Sequence, residues 1–193
     1  MVLPYEESDA MRITGGRYCG RTIKCPPGEI RPAMDRMRTS LFAILGDLSD
    51  CSFLDLFSGS GSVGIEAASR GASTVHLVEM DKGKRSVIMQ NISIVESQIT
   101  LFVTSVQSFI RQAKQDYDIV YADPPFPFKG KTELAALIAE KHVVKEGGLF
   151  IIHYPSEEKK LWSERIGSLA FIDERAYGRS LLRFYKNREK DET

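Results

Sequence analysis

At 193 residues, 42% hydrophobic and 27% charged, the chain has the make-up of one globular domain large enough to bury a proper core. No apolar run approaches the roughly 20 residues of a membrane span, and the acidic start MVLPYEESD lacks the basic and apolar regions of a signal peptide. Twenty-six basic residues balance twenty-six acidic ones, so whole-chain charge gives no sign of a polyanionic partner.

In chain order, MRITGGRYCGRTIKC reads as two short strands around a Gly-Gly turn. PAMDRMRTSLFAIL reads as a helix with Pro32 near its first turn. From about residue 52 short β-rich runs (SFLDLF, STVHLVE, ITLFV, YDIVYA, GGLFIIHY) alternate with helical lengths (SVGIEAASR, DKGKRSVIMQNISIV, SVQSFIRQAK, KTELAALIAEKHVV). That alternation predicts βαβ units and a parallel sheet buried on both faces. Past Tyr154 a helix is expected over about 159–166, then a hairpin of SLAFIDERA and SLLRFYK around YGR. The hairpin places an antiparallel strand at one edge. The expected division is 11–50 as a basic appendage and 51–187 as the main domain.

Cys19, Cys25 and Cys51 are odd in number and lack CxxC spacing, which argues against a disulfide framework or a metal site and for a cytoplasmic protein. His76, His142 and His153 lie far apart and read as packed or surface residues. Charge is uneven, however. Between Arg12 and Arg38 lie seven basic residues (Arg12, Arg17, Arg21, Lys24, Arg31, Arg36, Arg38) and two acidic ones (Glu29, Asp35), a local balance of +5. Such a flank is either a seat for a polyanion or a solvated charged face.

FLDLFSGSGSVGIEA holds a G-x-G-x-x-G at Gly59, Gly61 and Gly64, between a strand and a helix, and Glu79 ends the next strand. This pattern supplies a tight turn, a close backbone approach and a carboxylate for ribose hydroxyls, as a nucleoside cofactor requires. Asp55 and Phe57, in D-x-F-x-G-x-G, favour S-adenosylmethionine over NAD. They put a carboxylate where a cationic aminoacyl group could bind and a pyrophosphate would not.

YADPPFPF carries the chemistry. Pro124 and Pro125 end a strand rigidly behind Asp123, with Phe126 and Phe128 following. An exocyclic base amine is a poor nucleophile because its lone pair is delocalised. Asp123 and the Pro124 carbonyl, fixed by Pro125, can accept its hydrogens, while Phe126 offers a stacking face. A base reached in this way leaves its stack or is already unpaired.

The glycine loop and Asp123–Phe126 together resemble class I S-adenosylmethionine-dependent methyltransferases that modify exocyclic amines. The resemblance implies a Rossmann-like, seven-stranded mixed sheet with an antiparallel last strand. In such enzymes an acidic residue often follows the third strand, where this chain has Ser105. RITGGRYCGRTIKCP, RPAMDRMRTSLFAIL and FLDLFSGSGSVGIEAASRGA more specifically resemble RsmD-type bacterial 16S rRNA guanine-N2 methyltransferases, in order from about Arg12 to Tyr185. Ala33, Ser40 and Arg179 depart from that pattern. The resemblance implies 16S rRNA, in the small ribosomal subunit, as substrate of a monomer needing no metal or membrane. It makes Arg31, Arg36 and Arg38 candidates for rRNA phosphates, extended by Arg17 and Arg21. Of Arg36 and Arg38, which diverge on a helix, one can instead pair with Asp35 or Glu79. Competing readings are an adenine-N6 methyltransferase on DNA or another RNA, an NAD-dependent oxidoreductase, and a non-catalytic cofactor-binding RNA assembly factor.

Overall fold

Period-two alternation of apolar side chains decides the architecture. The structure, a computed structural model, describes residues 10–25 and 32–188. Five segments form a parallel core: β3 (Ser52–Leu56), β4 (Thr74–Glu79), β5 (Ile99–Val103), β6 (Tyr117–Ala122) and β7 (Val144–Pro155). Leu54, Val78, Val120, Phe150 and Ile152 face one layer, and Phe53, Leu77, Ile119, Tyr121 and Ile151 face the other. The first layer is closed by α4 (Val106–Gln112) and α5 (Lys131–Glu140). The second is closed by α1 (Pro32–Leu45), α2 (Ser62–Ser69) and α3 (Arg85–Ile92).

Three more strands complete the sheet: β8 (Arg165–Ile166), β9 (Leu169–Tyr177) and β10 (Ser180–Asn187). The order is β5-β4-β3-β6-β7-β10-β9-β8, eight strands where the sequence suggests seven. The last strand is antiparallel as expected, yet it lies inside the sheet, between β7 and β9. Residues 159–166 do not form the expected helix. Instead a 3₁₀ turn spans Ser156–Leu161, and the chain then extends at Trp162, which is 7% exposed and packs 5.0 Å from the Tyr154 ring. Burying that indole outweighs another helical turn, and Arg165 and Ile166 add to β9 as the eighth strand. Among the described residues no helix is long and apolar enough to cross a membrane.

Of residues 11–50, the strands β1 (Ala10–Arg12) and β2 (Thr22–Lys24) form a separate two-stranded sheet. α1 instead shares the main core through Met37, Leu41 and Phe42. The small sheet is fixed through Glu66 on α2, a carboxylate with 0% exposure. Glu66 accepts from Thr14 N (2.8 Å), Thr14 Oγ1 (2.7 Å), Arg38 Nη1 (3.0 Å) and Arg70 Nε (3.1 Å). Nearby, Gly16 adopts φ +74°, and a Cβ there would lie 1.9 Å from the Ser69 carbonyl oxygen, so glycine alone permits this approach. Glu66→Ala leaves Arg38 buried without its main counter-charge. We expect a loss of about 3–5 kcal/mol in urea unfolding, against a much smaller loss for the surface control Glu146→Ala.

Candidate active site

In a parallel sheet all carboxyl ends of the strands share one rim, and that rim collects the polar strand ends here. β3 leads into a loop that turns through three left-handed residues: Phe57 (φ 65°), Gly59 (φ 55°) and Gly61 (φ 81°). A phenylalanine in that region is a strained choice, and its ring is edge-on to Phe128 at 5.2 Å. Gly64 serves packing, since a Cβ there would meet Leu77 at 2.2 Å.

The loop's amides are already engaged. Gly59 N–H donates to Glu79 Oε2 (2.9 Å) and Gly61 N–H to the Ser58 carbonyl (2.7 Å). Glu79 Oε1 accepts from Asp81 N–H, so this carboxylate ties the glycine loop to the end of β4. Asp55, 1% exposed, accepts from Gly64 N–H at 3.1 Å. Burial pushes its carboxyl well above the usual range, and the charges of Asp123 and Glu79 add to the rise against the Gly64 hydrogen bond. Burial, then Asp123 and Asp55, likewise hold the Tyr121 phenol protonated. Three carboxyl groups thus converge on a rim whose glycine amides are spent, an arrangement that fits a cation better than a pyrophosphate. Ser105 caps α4, its Oγ accepting from Ser108 N–H at 3.2 Å, so that hydroxyl serves the helix end.

Asp123, 20% exposed at its side chain, stands at the tip of β6. Pro124 is buried, Pro125 exposed, and Phe126 half-buried. Two residues without an assigned role in the sequence reading shape this motif. His153 on β7, 3% exposed, places Nδ1 2.5 Å from Asp123 Oδ1, with its ring 5.3 Å from that of Phe126. Lys131, also 3% exposed, donates to the carbonyls of Phe126 (3.0 Å) and Phe128 (2.7 Å) and to Glu158 Oε1 (2.9 Å). A signal for each lay in the chain. His153 breaks an apolar strand two residues before Pro155, and Lys131 opens a helix, where a cation opposes the dipole.

The arginines separate. Arg38, expected on rRNA phosphates, is 4% exposed and committed to Glu66, to Asp35 Oδ1 (2.9 Å) and to the Arg12 carbonyl (2.7 Å). It is a structural cation. Glu79 has Lys84 at 4.0 Å instead of an arginine. Arg36 is exposed and makes no ion pair with a described residue. Arg17 pairs with Glu96, and Arg21 donates to the Ile94 carbonyl, both beside the buried ring of Tyr18. Residues 94–96 precede β5, so these two lie at the end of the sheet opposite Asp123. Arg31 lies outside the described residues. Among the departures, Ser40 accepts from Tyr177 OH at 2.5 Å, and Arg179 pairs with Glu157 at 2.6 Å.

The family model described as Conserved hypothetical protein 95 matches residues 11–186. The chain belongs to that family. Ribosomal RNA small subunit methyltransferase D of Escherichia coli (strain K12) is 38% identical over 123 residues, and the match spans 62% of each chain. The protein of the same name from Haemophilus influenzae is 28% identical over 184 residues, covering 92% of this chain and 94% of its own. The solved structure of yhhF from Escherichia coli superposes with a TM-score of 0.83 at 26% identity, covering 94% of this chain and 99% of that one. The RsmD-type resemblance and the class I fold are thereby borne out.

Lys131→Met should unlatch residues 126–129 while leaving the core intact. Hydrogen bonds from a charged group contribute about 1.5–3 kcal/mol, so opening should become at least roughly tenfold more frequent. Limited trypsin digestion after the exposed Lys129, timed by mass spectrometry, checks this.

Proposed function

We propose that the protein transfers a methyl group from S-adenosylmethionine to the exocyclic N2 amine of a guanine in small-subunit rRNA, acting as a cytoplasmic monomer. The observation that carries this reading is Asp123, held at a strand tip beside the glycine loop and the carboxyl groups of Asp55 and Glu79. The family relatives named as ribosomal RNA small subunit methyltransferases support the substrate.

The residues fit the cofactor on their own chemistry. The cofactor is a sulfonium cation and supplies the transferable methyl; Asp55 would face its cationic aminoacyl group and Glu79 its ribose hydroxyls. Phe57 and its edge contact to Phe128 supply an apolar wall. The acceptor base stacks on Phe126, Asp123 accepts one amine hydrogen, and the Pro124 carbonyl accepts the other. Drawing both hydrogens aside turns the nitrogen lone pair out of conjugation and towards the methyl. Product formation leaves a proton to be lost from the amine, and Asp123 is the group in place to receive it. Among the described candidates, Arg36, exposed on the first helix, remains the arginine for rRNA phosphate, now without Arg38.

The test is methyl transfer from radiolabelled cofactor to assembled small subunits, naked 16S rRNA and genomic DNA from cells lacking the protein, with nucleoside identification. Label in N2-methylguanosine is expected, and Asp123→Ala should lower its rate by on the order of 10²–10³-fold with cofactor still bound. Label in N6-methyladenine would overturn the base assignment, and cofactor binding without any transfer would favour a non-catalytic assembly factor.

Asp55 gives a pH signature. Its carboxyl is protonated to higher pH than usual in the free protein, and a bound cation favours the ionised form, so binding releases a proton. Cofactor affinity should therefore climb with pH below the raised value and level off past it. In Asp55→Asn the part of that slope due to residue 55 should vanish, as read by calorimetry in buffers of different ionisation enthalpy.

A further inference from the structure

We infer that His153 is a positioning residue for Asp123, an inference that rests on the methyl-transfer reading above. An ionised carboxylate only accepts, so the 2.5 Å contact makes Nδ1 of His153 the donor and Asp123 Oδ1 the acceptor. The torsion that turns an aspartate carboxylate is broad. Asp123 is 20% exposed, and besides the Tyr121 phenol, which donates to it from two residues back on the same strand, His153 is the group that fixes that torsion. With Oδ1 held by the imidazole, Oδ2 points in one direction, towards the amine it must meet.

The backbone favours this contact. β6 and β7 pair Ala122 with Ile152, and the same parallel register brings Asp123 and His153 side by side one residue on. On its other side His153 is held by the ladder to Leu182 of β10. The imidazole is thus mounted on an interior strand of the sheet. Its ring also lies 5.3 Å from Phe126, so one side chain sets both the acceptor and the stacking wall.

Stability does not account for a histidine here. Its Nε2 is buried with no hydrogen-bond partner among the described residues, which costs free energy. The neighbours Ile151 and Ile152 show that this strand takes aliphatic residues freely. The position carries a polar group because Asp123 needs one.

Two substitutions and one spectrum test this. His153→Phe keeps the ring and removes the donor; His153→Asn returns an N–H close to the place of Nδ1. We expect kcat to fall about 10- to 100-fold in His153→Phe, with cofactor Kd within twofold of wild type, and to recover to within a few-fold in His153→Asn. In the proton NMR spectrum the Nδ1-bound proton of wild type should appear far downfield and be lost in Asp123→Ala. Unchanged kcat in His153→Phe, or equal losses in the Phe and Asn variants with both folded, would overturn the positioning role while leaving methyl transfer intact. Wild type inactive on every substrate would instead sink the reading on which the role depends. A downfield proton that survives Asp123→Ala would refute the contact itself, whatever the activity.

Discussion

Everything above the sheet rests on a carboxylate that water never reaches. Glu66 draws donors from the loop of the small N-terminal sheet, from the first helix and from its own helix, and it is the fully buried counter-charge they share. A buried ion pair of this kind is poor evidence for stability, since an apolar core of the same shape would serve as well or better. Its value lies in specificity: four donors from three segments, Arg38 on the first helix among them, converge on one carboxylate and fix those segments relative to one another. From the end of β2, Lys24 is tied to Asn91, and Asn91 Nδ2 also donates to the Ser60 carbonyl at 2.9 Å, so the small sheet is joined to the glycine loop as well. The appendage is therefore part of the framework that holds the rim in shape.

Much of this was legible in the chain, because the parallel core writes itself as short apolar runs between turns. SFLDLF and YDIVYA could hardly be anything else, and the proline pair after Asp123 marks the strand tip without ambiguity. What misled was local. The 159–166 segment has helical composition, yet one tryptophan with a buried site outweighs it. The basic cluster read as a single surface, although charge counted along a chain does not say which face each side chain takes. Arg38 turns inward to Glu66, Arg36 two residues before it turns outward, and Arg17 and Arg21 brace the far end of the sheet. His153 and Lys131 escaped notice because their partners lie 30 residues away and on backbone carbonyls, respectively. Each left a faint mark, a histidine in an apolar strand and a lysine opening a helix, but neither mark names its partner.

The motif itself is held from three directions. Lys131 draws on the carbonyls behind Phe126 and Phe128, His153 meets the carboxylate, and Phe57 leans on Phe128 from a strained backbone. Each support comes from a different element, and none is a proline. Rigid chain at 124 and 125 fixes the backbone alone; the side chains around it need these separate anchors.

The convergence of Asp55, Glu79 and Asp123 has a further effect on the fold. Each negative charge raises the cost of ionising its neighbour, so the rim carries a repulsion that the surrounding backbone holds together. A positive group arriving there relieves that repulsion. The same carboxyl groups that oppose compactness therefore favour occupancy.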